Sequence, residues 1–290
     1  MPLTGSCLCG DVAFEVDGPV EPLSHCHCSM CRKSHGSAFA SYVGAPKSAF
    51  RWLRGVERIQ RYESSPNGWR PFCSRCGSSV PAAPEGMDRV FIPAGLLAED
   101  PKIGPLQHLF VGSKAPWFDV RDSAPQFDAY PPGWGEAVPS PRRTEPTPEA
   151  IRGGCLCGAV SYEIPRPVAG PIVFCHCSRC RRARAAAHNA NLFVELDRFR
   201  WLRGEDRVQA FKVPDAERFT QAFCRECGSP VPNVGALRVV VPAGSLDDDP
   251  GVRPGLHIFV ASKAPWFEIA DDLPRYDAYP PGGPPATAPR

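Results

Sequence analysis

The sequence predicts a mainly β chain in which one domain is written twice, and three observations lead there. The first is composition: 26 glycines and 35 prolines in 290 residues leave little room for long helices. The second is a series of short β-rich runs cut by Gly, Pro, Ser and Asn clusters. The third is the spacing of fourteen cysteines, Cys7, Cys9, Cys26, Cys28, Cys31, Cys73 and Cys76, then Cys155, Cys157, Cys175, Cys177, Cys180, Cys224 and Cys227. These are one seven-cysteine pattern, repeated.

Other words of the sequence repeat at nearly the same offset: WLRG at 52–55 and 201–204, PAG at 93–95 and 242–244, SKAPWF at 113–118 and 262–267, and DAYPPG at 128–133 and 277–282. Solenoid units run to roughly 20 to 50 residues, so copies of this size are domains. We place them at 1–138 and 151–290. The Pro-rich, polar segment 139–150 between them has no apolar periodicity and reads as a linker. In the first copy the strand candidates are residues 12–16, 39–43, 50–53, 58–62, 90–92 and 108–111. Helix candidates are few. A domain of short strands and many loops gains from metal ligation, which contributes roughly 10 to 16 kcal/mol for a structural zinc.

A hydrophobic content of 43% with 22% charged residues is that of a folded globular protein. No apolar run approaches the ~18 residues of a membrane span, and the beginning MPLTGSCLCG has neither the basic nor the apolar part of a secretory signal. The expected compartment is the cytoplasm. A formal charge of +2 supplies no field for nucleic acid or an anionic membrane, so the expected partner is a small molecule or a protein.

In a reducing compartment fourteen cysteines point to metal thiolates or catalysis rather than disulfides. Seven per copy divide as four plus three. A C-x-C in extended chain presents both sulfurs to one face, and a distant C-x-x-C-G turn supplies two more, with Gly77 or Gly228 permitting the bend. Cys7, Cys9, Cys73 and Cys76 are therefore assigned to one structural zinc, and Cys155, Cys157, Cys224 and Cys227 to another. The remaining Cys26, Cys28 and Cys31, like Cys175, Cys177 and Cys180, give three thiolates and leave one position open, the mark of a catalytic zinc. Up to four zinc ions per chain follow.

Two histidines recur in both copies and are the candidates to close the three-cysteine sets: His27 with His176, and His108 with His257. His27 alternates with Cys26 and Cys28, so its ring should face away from their metal. His108 and His257 could reach one, although a core or supporting hydrogen bond is the commoner fate of such residues. An iron–sulfur cluster is a further option, but the ferredoxin spacing is missing.

The words GSCLCG, HCHCSMCRKSHGSAF, FCSRCGS and HLFVGSKAPWF resemble the glutathione-dependent formaldehyde-activating enzyme family, also called the centromere protein V family. GGCLCG, FCHCSRCRRARAAAH, FCRECGS and HIFVASKAPWF resemble it again. The resemblance implies a β-tent fold, the same division into structural and catalytic zinc, and carbon–sulfur lyase chemistry joining glutathione and formaldehyde as S-hydroxymethylglutathione. The alternative is a noncatalytic zinc-stabilised binding or scaffold module.

The copies differ beyond their cysteines. His35 aligns with Arg184, Gly36 with Ala185 and Phe39 with His188, and the first copy is closer to the family pattern. Arg181, Arg182 and Arg184 read either as a solvated face or as a holder of ligand carboxylates. Trp52, Trp117, Trp201 and Trp266 are read as packing residues, and Asp247, Asp248 and Asp249 as a loop. The two copies are expected to pair within the chain. No phosphate-binding loop, dinucleotide fingerprint or nucleophile elbow is present.

Overall fold

The computed structural model describes residues 2–138 and 144–283, so 139–143 of the expected linker and the last seven residues lie outside it. Each half builds the same three pieces. In the first, Leu3–Ser6, Ala13–Val16 and Phe50–Arg54 form an antiparallel sheet. A larger sheet runs in the order Gln126–Phe127, Pro105–Leu109, Leu23–Cys26, Ala40–Pro46, Arg89–Pro93. A hairpin joins Ile59–Ser65 to Gly68–Cys73.

The second half repeats these with Ala150–Gly154, Ser161–Pro165 and Arg200–Arg203, and with the hairpin Val208–Lys212 and Thr220–Cys224. Its large sheet has six strands: Asn233–Val234, Val239–Pro242, Asn189–Val194, Ile172–Cys175, Pro254–Ile258 and Arg275–Tyr276. Most neighbours are antiparallel, and the chain is mainly β as expected. The exceptions run toward one edge of each large sheet, where Pro105–Leu109 pairs in parallel with both Leu23–Cys26 and Gln126–Phe127, and Pro254–Ile258 with both Ile172–Cys175 and Arg275–Tyr276.

Runs expected from residues 12, 39, 50, 58 and 90 are strands to within one residue of those starts. The run expected at 108–111 breaks instead: the strand stops at Leu109, Phe110 turns into the left-handed region at φ +60°, and Val111–Ser113 is a 3-10 turn. Leu3–Ser6, Leu23–Cys26 and Gly68–Cys73 were not expected. Their Ser, Gly and Pro residues hide the β pattern, and pairing with neighbours holds them.

Two α-helices occur among the described residues, α1 (Ser29–His35) and α2 (Ser178–Arg184). Neither begins with a usual capping residue. The sulfur of Cys28 accepts the amide of Cys31 at 3.4 Å, and Cys177 does the same for Cys180. A cysteine at the cap and seven residues of length leave no periodic signal to read.

The halves share one core, in which Leu23, Phe39 and Trp117 of the first meet Phe174, Leu192 and Trp266 of the second. Trp52 and Trp201 pack against its margin. The repeated PAG turn explains itself here, because each lies against the other half's helix end. A Cβ on Gly95 would sit 2.2 Å from the Ala186 nitrogen, and one on Gly244 2.4 Å from the Ser37 oxygen. Only glycine allows that approach. Lys33 of α1 completes the seam: buried, it pairs with Asp247 at 2.9 Å and donates to the carbonyls of Gly154 and Ser245.

All seven histidines are buried. Burial lowers His25 and His27 to about 3 and His188 to about 4, so these rings are neutral in the fold. A base whose folded value lies below its unfolded value of about 6.5 takes up its proton only on unfolding, so stability is whole above pH 6.5 and is lost as the pH falls toward 4. Replacing His188 by Phe, the residue at the matching position 39, removes one such proton. The fall in unfolding free energy between pH 7 and pH 5 should shrink by about 2 kcal/mol in denaturant titrations; an unchanged fall would show that His188 is not a neutral core residue.

Candidate metal centres

Two four-cysteine groups form where the hairpins meet the small sheets. Cys7 and Cys9 leave the strand Leu3–Ser6, and Cys73 and Cys76 close the hairpin; Cys155, Cys157, Cys224 and Cys227 repeat this. Within each group all sulfurs lie within 4.8 Å of one another, and all are free thiols. Cys7–Cys9 and Cys9–Cys73 are 3.4 and 3.7 Å apart, and Cys155–Cys157 and Cys157–Cys224 are 3.4 and 3.8 Å apart. A tetrahedron of thiolates around zinc, with bonds of about 2.3 Å, has edges near ~3.8 Å. The donor set and its dimensions therefore fit a closed four-sulfur zinc site.

The turn after each second pair needs Gly77 and Gly228 for two reasons. Their φ values are +74° and +70°, and a Cβ on either would sit 2.4 Å from a ring atom of Phe223 or Phe72 in the opposite half. Each four-cysteine turn thus rests on the other half's hairpin.

The three-cysteine groups lie at the mouths of the large sheets. Leu23–Cys26 delivers Cys26 at its end, Cys28 caps α1, and Cys31 sits in its first turn; Ile172–Cys175 and α2 place Cys175, Cys177 and Cys180 in the same way. Among the described residues no fourth His, Cys, Asp or Glu joins either group. Three clustered sulfurs with no fourth ligand suit a metal with one free position. Hydrogen bonds from Cys26 and Cys28, and then the Arg70 charge, hold the Cys31 thiol well below its usual value.

Three features around the first group were not singled out from sequence. Arg70, on the hairpin, points both terminal nitrogens at Cys31 Sγ, at 3.7 and 3.8 Å. His35 Nδ1 donates to the Arg184 carbonyl at 2.7 Å, which leaves Nε2 to accept the Tyr42 hydroxyl at 2.8 Å. Tyr130, from the repeated DAYPPG, packs edge-on against Phe110 and is raised by burial and then by the sulfurs of Cys26, Cys28 and Cys31. Tyr279 and Phe259 repeat that pair in the second half. Phe110 and Phe259 both hold positive φ, at +60° and +58°, and both pack against the cysteine groups. A bulky residue in that region is strained, and finding the strain twice beside the sulfurs marks a functional edge. The repetition of DAYPPG was legible; the role of its tyrosine was not.

The second group has different neighbours. Asn189 Nδ2 donates to Cys180 Sγ at 2.9 Å, where the first half has Ala40. Tyr42 is replaced by Asn191, His35 by Arg184 and Arg70 by Gln221. Arg184 is buried, so the arginine run is not a uniformly solvated face.

The recurring histidines lie on the opposite face of the strand ends. His27 Nε2 meets His108 Nδ1 at 2.9 Å, and His108 Nε2 meets Asp122 at 2.9 Å; His176, His257 and Asp271 repeat the chain. With the carboxylate accepting from His108, His27 is the donor to it, and His27 Nδ1 is left buried without a partner. His108 and His257 line a small cavity of about 40 Å³ between the halves, with His25 and His188, and are supporting residues and not ligands of the cysteine groups. The acidic run is also structural: Asp247 pairs with Lys33, Asp248 accepts the Arg152 amide, and Asp249 pairs with Arg253.

The sequence profile of the glutathione-dependent formaldehyde-activating enzyme family matches residues 2–113 and again 150–262. The chain belongs to this family. A Halomonas elongata protein named "Putative glutathione-dependent formaldehyde-activating enzyme" is 30% identical over 141 residues, 45% of this chain and 90% of that protein. A crystal structure of a Rhodobacter sphaeroides protein is 27% identical over 36% of this chain and 97% of that one, with a TM-score of 0.27. No helix among the described residues is long and apolar enough to cross a membrane.

The two kinds of cysteine group should separate in stability. Cys76→Ser breaks a closed site and lowers the melting temperature of the zinc-loaded chain by roughly 10 °C or more. Cys28→Ser, at an open group, lowers it by much less. Equal drops in differential scanning calorimetry would contradict the division.

Proposed function

We propose that the chain is a zinc-dependent carbon–sulfur lyase that joins a small thiol to a small aldehyde, with glutathione and formaldehyde giving S-hydroxymethylglutathione or a related adduct. The observation that carries this reading is the pair of three-sulfur groups lacking a fourth ligand among the described residues, in a chain of this family. Cys26, Cys28 and Cys31 would hold one catalytic zinc and Cys175, Cys177 and Cys180 another. Two structural zincs on the four-cysteine groups would bring the total to four. We assign the family domains to 1–138 and 151–290, and the compartment to the cytoplasm, where free thiols persist.

Zinc held on three thiolates would supply an open position that makes an incoming thiol a readier acid. In the reaction the thiol sulfur forms a bond to the carbonyl carbon, the C=O π pair moves to oxygen, and the thiol proton ends on that oxygen. The chain's own residues prepare the place. Arg70 offsets the charge at Cys31, and Phe110, packed against the cysteine group, stacks edge-on with Tyr130. Tyr130 stays protonated and can hold the proton at the new alkoxide oxygen. The His27–His108–Asp122 chain fixes the strand end that presents Cys26 and Cys28.

The first domain, closer to the family pattern, is the one we assign to formaldehyde. In carbon-13 exchange spectroscopy with glutathione and labelled formaldehyde, Cys28→Ser should remove most of the protein-catalysed exchange, and Cys177→Ser should remove little. Equal losses would contradict the assignment, and no catalysed exchange in the zinc-loaded wild type would overturn the lyase reading.

A further inference from the structure

The cysteines of the two open groups superpose in role, yet their polar surroundings do not. Around Cys31 the side chains of Tyr42, His35 and Arg70 all have partners. Tyr42 gives its hydroxyl to His35, His35 gives its proton to the Arg184 carbonyl, and Arg70 divides its donors between Cys31 and Ser64. Around Cys180 the corresponding positions hold Asn191, Arg184 and Gln221, and each has a buried atom with no partner: Asn191 Oδ1, Arg184 Nη1 and Gln221 Nε2. Arg184 and Gln221 are 7% and 2% exposed. An unpaired buried donor or acceptor is costly, and more so when charged, so two donors and an acceptor in this state call for an occupant.

The replacements also say what the occupant is. Donation to the third thiolate, the work of Arg70 in the first half, passes to Asn189 at 2.9 Å from Cys180, and the Arg184 cation, standing where the first half has His35, feels the Cys180 charge. The change from Tyr42 to Asn191 replaces a phenol by a smaller amide. The unpartnered atoms belong to a cation, an amide donor and an amide acceptor. A carboxylate satisfies the Arg184 and Gln221 donors together, and an adjacent hydroxyl satisfies the Asn191 acceptor. A bare hydroxymethyl group has only the hydroxyl.

We propose that the second open group takes thiol adducts of aldehydes that carry a carboxylate next to the carbonyl, the 2-oxo acid class. Such an adduct, S–CH(OH)–COO⁻, presents hydroxyl and carboxylate on adjacent carbons. It forms as the first reaction does: the thiol sulfur bonds to the aldehyde carbon, the thiol proton passes to the former carbonyl oxygen, and nothing is oxidised or reduced. The assignment rests on the thiol–aldehyde reading above and gives the duplicated domain a substrate of its own.

The test uses the zinc-loaded full chain carrying Cys28→Ser, which disables the first open group, in native mass spectrometry with glutathione plus either glyoxylate or formaldehyde. The glyoxylate adduct should be retained at a concentration at least tenfold lower than the formaldehyde adduct. Arg184→Met should bring that preference close to one, and, by removing an unpaired buried cation, should raise the melting temperature without ligand. Gln221→Met should reduce the preference in the same direction and serves if the first variant folds poorly. Equal retention of both adducts, or a preference unchanged by Arg184→Met, overturns the assignment while leaving the thiol–aldehyde reading intact. If neither adduct is retained by this variant or by the zinc-loaded wild type, both fall.

Discussion

Everything in this fold answers to the crowding of sulfur. Four groups bring three or four cysteines within 4.8 Å of one another, without a disulfide. As thiols they waste buried volume on weak hydrogen bonds, and as thiolates they repel one another in a poorly screened interior. A divalent cation removes both difficulties at once, which is why ligation and folding are coupled in sites of this kind. The surrounding elements serve that end. Strand ends, hairpin turns and two seven-residue helices are little more than holders of cysteine, and the helices use a ligand sulfur as their cap.

The duplication then solves a second problem. Neither half covers its own sheet, so the cores merge through Phe39, Phe174, Trp117 and Trp266, and each PAG turn and each cysteine-bearing glycine touches the opposite half. Exchange of contacts across the seam makes the two halves one folding unit. Their open cysteine groups remain separate in space and free to differ. Lys33 with Asp247 has no counterpart, because the matching positions hold Arg182 and Ala98. The polar shell at Cys180 departs from that at Cys31 in the same way: ligands are kept while what surrounds them changes.

Much of this was legible in the sequence because cysteine is chemically unambiguous when it recurs at fixed spacing. The four-plus-three division and the outward turn of His27 follow from alternation along an extended chain, and the core role of the tryptophans from their recurrence. What escaped has a physical reason in each case. Helices α1 and α2 are too short to show a period and begin on cysteine. Arg70 lies 39 residues from Cys31 and meets it only because the hairpin folds over the sheet mouth. Asn189, Asn191 and Gln221 acquire meaning only beside their counterparts in the first half, since an unpartnered buried atom is a property of the packed chain and not of a residue type.

The most direct test is X-ray absorption spectroscopy at the zinc edge of the fully loaded chain, before and after glutathione is added. Closed four-sulfur and open three-sulfur centres in equal number give about 3.5 sulfur neighbours per zinc, and binding of the thiol should raise that count to four with loss of the lighter scatterer. A count of four before any thiol is added, or one that glutathione does not move, would show the central groups to be closed and would contradict the role given to them.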